Sequence, residues 1–223
     1  MPPQHPRGDP PRAGERRVVP VTVNRAFVAA VTKRLTAEAD PARAVGQQRY
    51  MKSSLPYFGV AMPRTVAITR EVVAEFPLNS YEDWHDTVLT LFREATHRDL
   101  WYVATELAKR PAYRAYARSK DALDLWETII VEGAWWDIVD DVAAHLVGGL
   151  FEADAPWTAA HMRRWATDEH LWKRRTAIIC QIRRGTNLDL TLLHDCIEPN
   201  VGDADFFIRK AIGWALRQYA WTD

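Results

Sequence analysis

Trp136 and Asp140 lie four residues apart in Trp135-Trp136-Asp137-Ile138-Val139-Asp140-Asp141, so on a helix they share one face. Arg175 follows Trp136 by 39 residues, and Trp214 follows Arg175 by another 39. A constant step of that size suggests a repeat whose equivalent positions project onto a common surface. An indole, a carboxylate, a guanidinium and a second indole on one surface could hold a phosphate backbone and stabilise a cation. The carboxylate and the aromatic faces attract positive charge, and the guanidinium matches phosphate geometry. Trp135 is turned about 100° from Trp136 and is expected in the core. Asp137 and Asp141 are each one residue out of step and are expected to leave the Trp136 face. The same spacing also fits a plainer arrangement, with Asp140 a helix-surface carboxylate and Trp136 a core residue.

Other chemistries find little support. There is no glycine-rich phosphate loop and no GxSxG motif, and the seven histidines (5, 85, 97, 145, 161, 170 and 194) include no pair with metal-ligand spacing. No CxxC occurs, so neither a zinc site nor another metal or cofactor is expected. Cys180 lies in the apolar run AIICQI and reads as a small buried hydrophobe; with only Cys196 beside it, a reducing, cytoplasmic setting is expected. No apolar run approaches the roughly 20 residues that cross a bilayer, and the N-terminal MPPQHPRGDPPRAGERR lacks the apolar core of a secretory signal. That Pro/Arg-rich segment, residues 1–20, reads as a disordered tail preceding a folded region over 21–223.

The net charge is zero, but it is unevenly spread. Glu71 to Asp99 holds seven acidic and two basic residues, whereas His161 to Arg184 holds seven basic and two acidic ones. Lys173, Arg174, Arg183 and Arg184 are therefore candidate phosphate contacts beside Arg175; charge alone fits solvated helix faces equally well.

These residues must be positioned by helices. Phe27, Val31 and Leu35 recur at helical spacing after a candidate cap, Asn24. Asp40-Pro41 and Ser80 with Asp83 are further start signals. Later starts are marked by Asp99, Lys120-Asp121, Ala134, Pro156, Thr167, Thr186 and Asp203, and no stretch alternates as a strand does. About a dozen helices of ten to sixteen residues follow. RRTAIICQIRR, IRKAIGWALRQY and LWYVATELAKR each carry a small Ala within an apolar stripe. The expected architecture is all-α, a curved α-solenoid of HEAT-like helical repeats. Its last repeat looks unfinished at Ala220-Trp221-Thr222-Asp223, as though a capping helix were missing.

The stretches RYMKSSLPYFGVAMPR, WWDIVDD, DEHLWKRRTAIICQ and FFIRKAIGWALRQYA, together with the 39-residue steps, resemble the bacterial AlkD-type family of HEAT-like repeat alkylpurine DNA glycosylases. The resemblance runs from about residue 24 to the end. It implies a catalytic carboxylate at Asp140, groove aromatics at Trp136, Trp214 and Tyr50, and a backbone-gripping Arg175. It further implies excision of N3- or N7-alkylated purines from double-stranded DNA without deep base flipping, by a monomer that needs no cofactor. Two alternatives stay open at this point. One is a HEAT-repeat scaffold that binds DNA or protein without catalysis; the other is a glycosylase specialised for bulky natural-product adducts.

Overall fold

The computed structural model describes residues 22–221, so the tail expected over residues 1–20 lies outside them. Among the described residues the chain is helical throughout, with no strand. The helices are α1 (Arg25–Ala37), α2 (Pro41–Met51), α3 (Met62–Glu75), α4 (Tyr81–Arg93) and α5 (Asp99–Ala108), followed by the short α6 (Arg114–Ala117) and α7 (Leu123–Gly133). After them come α8 (Trp136–Asp141), a π-helical turn (Val142–Val147), α9 (Gly148–Leu150), α10 (Ala155–Trp165), α11 (Leu171–Ile179), α12 (Leu190–Ile197) and α13 (Phe206–Ala220).

Several helix starts follow directly from side-chain chemistry. Asn24 accepts from Phe27 N, Asp40 from Arg43 N and Ser80 from Asp83 N, each satisfying an amide that the first turn leaves without a partner. Four starts lie downstream of the sequence expectation. The Thr167 hydroxyl donates back to Arg164 O and closes α10 instead of opening α11. Thr186 lies in a 3-10 turn, and the capping carboxylate of α12 is Asp189; α13 is capped by Asp205, not Asp203. Ala134 takes a left-handed conformation that ends α7, which delays the next helix to Trp136.

The helices stack as an α-solenoid. One row runs α3, α5, α8, α11, α13, each packed on the next, while α4, α7 and α10 back onto it. This arrangement explains the 39-residue step: Trp136, Arg175 and Trp214 stand on α8, α11 and α13, three consecutive members of that row. The step is visible as contact elsewhere too, since Arg93 pairs with Glu132, and Arg98 with Asp137, across the same register.

Between the rows lies one continuous apolar cluster, from Phe27 to Ala215. Trp84 and Trp126 are fully buried in it, edge to face with centroids 5.8 Å apart. Burying an indole of this kind removes roughly 150–250 Å² from water, worth about 4–6 kcal/mol as an upper figure. Most of the ten tryptophans are thus core ridges.

Candidate nucleic-acid interface and active site

Tyr50 is held in place from below. Asp99, buried at the start of α5, accepts from Phe58 N at 2.8 Å and Val60 N at 3.3 Å, fixing the segment after α2. Gly59 has φ +87°, and a Cβ there would lie 2.1 Å from Asp40 O, so only glycine lets α2 settle on this segment. Helix α2 buries none of its own residues and leaves Tyr50, near its C-terminus, 71% exposed. The phenol meets Trp136 edge to face, with centroids 6.2 Å apart. Trp135 turns the other way, as its position predicts, and packs against Trp172 and Phe207.

Asp140 is gripped by Arg175 in a two-pronged pair: Nε donates to Oδ1 and Nη2 to Oδ2, both at 2.7 Å. Arg175 also donates through Nη1 to Phe207 O at 2.5 Å, and its side chain is only 6% exposed. A guanidinium carries five N–H groups. Three are spent on these contacts, which leaves one on each terminal nitrogen for another acceptor. Burial pushes the Asp140 carboxyl above its ordinary range, and Arg175 works against that shift without cancelling it.

Two openings flank the pair. A cleft of about 450 Å³ is lined by Asp140, Asp141, Ala144, Ile182 and Trp214, among others. A second, of about 400 Å³, lies on the other side of Trp214 and is lined by Arg175, Arg209, Lys210 and Arg217. Tyr50 touches Trp136, Arg175 pairs with Asp140 and Trp214 lines both openings, the first of apolar and acidic character and the second cationic.

The neighbouring carboxylates have separate partners. Asp137 accepts from Arg98 at 2.6 and 3.1 Å and from the Tyr102 hydroxyl at 2.6 Å, and Tyr57 O stands 3.0 Å from Tyr102 O. Both members of the Asp137–Arg98 pair are almost wholly buried. Asp141 pairs with Lys109 at 2.8 Å and His145 at 3.0 Å. Burial pushes the Asp141 carboxyl up, but these two partners outweigh it and hold it at about 2. Asp137 leaves the Trp136 face entirely, whereas Asp141 stays on the rim of the cleft.

The basic residues of the 163–184 stretch divide in two. Lys173 pairs with Glu127 and Asp168, and Arg174 with Asp203, so their charges are neutralised within the fold. Arg183 and Arg184 make no ion pair among the described residues, and Arg183 is exposed. Sequence reasoning did not reach Arg98, Tyr102, Lys109 or His145. The only available signal for Arg98 was its own 39-residue step to Asp137.

Residues 31–223 match the family model for "DNA alkylation repair enzyme". The chain belongs to that family. A solved structure described as a predicted DNA alkylation repair enzyme from Enterococcus faecalis superposes with a TM-score of 0.74 at 26% identity, over 82% of this chain and 84% of that one. No curated protein matches the chain. Membership places the protein in the repair of alkylated DNA. No helix among the described residues is long and apolar enough to cross a membrane.

Proposed function

We propose that this family member is a monofunctional DNA N-glycosylase that releases cationic N3- or N7-alkylated purines by hydrolysis. The observation that carries the reading is the Asp140 carboxylate, set at the mouth of a cleft beside Trp214, on the same helical face as Trp136, and aligned by both prongs of Arg175. A purine alkylated at N3 or N7 is already positively charged, so it leaves without much acid assistance. Positive charge then develops on the deoxyribose, and a fixed carboxylate beside it lowers the barrier electrostatically and can orient the attacking water. Each indole face adds roughly 1–2 kcal/mol to the stabilisation of a desolvated cation.

Arg175 supports both halves of this chemistry. Its pair with Asp140 orients the carboxylate, and its two remaining N–H groups face a phosphate as a single cationic clamp. The cationic opening beside Trp214 is suited to that phosphate. Hydrolysis, not a Schiff base, is the expected route. Burial alone would push Lys109 down, but Asp141 and Glu106 hold it above its ordinary value, so it is a protonated ion-pair partner and a poor nucleophile.

The test is base release from duplexes carrying 7-methylguanine, 3-methyladenine or a bulky N3 adduct, followed by borohydride treatment. Release with no trapped protein–DNA adduct is the expected result, and the three duplexes report which adduct the open cleft prefers. A folded protein that binds these duplexes and releases no base would overturn the reading in favour of a non-catalytic DNA-binding scaffold. A trapped adduct would overturn the monofunctional assignment.

A further inference from the structure

The π-helical turn Val142–Val147 begins two residues after Asp140. Such turns are rare, close on the fifth residue instead of the fourth, and recur at functional sites. His145, on this turn, lines the same cleft as Asp140 and Trp214. The turn is seated closely on its neighbour, since a Cβ at Gly148 would lie 2.6 Å from Cys180 O.

The imidazole is held in one orientation. Its Nδ1 lies 3.1 Å from the Asp141 carbonyl oxygen and 3.0 Å from its carboxylate. Both of these are acceptors, so Nδ1 carries the hydrogen. Asp141 is itself anchored by Lys109, which also binds Glu106. The other edge of the ring is left to open space, where three cavities meet at His145. Besides the cleft there is a groove of about 490 Å³ reaching Arg118, Arg183 and Arg184, and a pocket of about 180 Å³ reaching Lys109 and Arg114. Of these cations Lys109 and Arg118 are matched by carboxylates, Arg118 by Glu152. Arg114, Arg183 and Arg184 have no ion-pair partner among the described residues, so the surroundings of the ring are positive. An excess of unpaired cations around the open edge of the ring suits an anion.

We infer that the groove over the π turn, with His145 at its centre and Arg183 on its bank, binds a backbone phosphate of the DNA beyond the nucleotide held at Asp140. The inference rests on the proposed action of the protein on duplex DNA, and it adds a second phosphate site to the one at Arg175. In the complex Nδ1 donates to Asp141 and Nε2 to the phosphate, a contact that requires the ring to take up a second hydrogen as the phosphate binds.

The test measures binding of the full chain to a duplex containing a tetrahydrofuran abasic-site analogue, across a series of salt concentrations. Arg183→Ala and His145→Ala are each expected to lower the salt slope by about 1, and the double variant to weaken binding at least about tenfold. Arg183 is exposed and has no ion-pair partner among the described residues, so its variant should melt at the wild-type temperature, and far-UV circular dichroism of both variants reports that the fold is intact. Wild-type affinity and slope in both variants would overturn the phosphate site and leave the glycosylase reading standing, because base release decides that separately. DNA binding lost through these variants in a protein that releases no base would do the reverse. A wild-type chain that binds no duplex would overturn both.

Discussion

Replacing Asp140 by Asn removes a charge while keeping the shape of the side chain, and the structure gives two effects to separate. The first is chemical. Losing one preorganised electrostatic contact of this type costs about 10²–10³ in rate, or roughly 2.7–4 kcal/mol of transition-state stabilisation. The second is structural. Among the described residues Asp140 is the only carboxylate paired with the Arg175 guanidinium, which is 6% exposed. The amide keeps one acceptor but turns an NH₂ toward the other prong, where two donors then face each other. Removing one partner of a buried pair costs about 3–5 kcal/mol. The retained bond from Arg175 to Phe207 O argues for the lower end, about 3 kcal/mol. For a chain of this size that is a fall in melting temperature of roughly 6–12 °C. The assay is single-turnover release of 7-methylguanine at 25 °C, with thermal melting of the same preparation. The double variant Asp140→Asn/Arg175→Gln separates the effects: with the stranded cation gone, melting should recover in part while the rate stays low. A folded Asp140→Asn protein with the wild-type rate would refute the electrostatic role. An unchanged melting temperature would refute the buried pair.

Acid dependence should show the same carboxylate. The chemistry needs Asp140 ionised and burial raises its pKa, so activity should fall as pH drops through a range above the roughly 3.9 of an unperturbed Asp. A rate that stays flat down to that ordinary value would count against this. Gly148→Ala should destabilise the protein by about 1–3 kcal/mol, because the added methyl meets the rigid Cys180 carbonyl oxygen at 2.6 Å. Melting at the wild-type temperature would show that the π turn can move away from α11 freely.

What was legible in the sequence follows from which interactions are local. The caps at Asn24, Asp40 and Ser80 lie within three residues of the amides they serve, so residue type and spacing announce them. The 39-residue step was legible because successive units contribute equivalent positions to one row. It groups Trp136, Arg175 and Trp214 on one surface. The pairing of Arg175 with Asp140 was not legible. The resemblance suggested a phosphate grip for Arg175, and nothing local in the sequence indicates a partner 35 residues away. Lys173 and Arg174 show the same limit from the other side: their charges suggested an outward cationic patch, but Glu127, Asp168 and Asp203 meet them in the fold. The π turn is invisible to a periodicity argument, which assumes a constant twist.

Three ion pairs around the site share one geometric property. Arg98–Asp137 and Lys109–Asp141 join α5 to α8, and Arg175–Asp140 joins α8 to α11. Each of these three crosses a seam between neighbouring units, unlike the local pairs Asp141–His145 and Lys109–Glu106. The distance between the carboxylate and its cation is therefore set by the pitch of the whole coil, not by any one element. A substitution in a backing helix such as α7, far from any reacting atom, could alter that pitch by a fraction of an ångström per unit and misalign the site while every residue in it remained intact. Conversely, a duplex that flexes the coil as it binds acts on all of these seams together, so the shape of the DNA itself becomes part of what sets the alignment of Asp140.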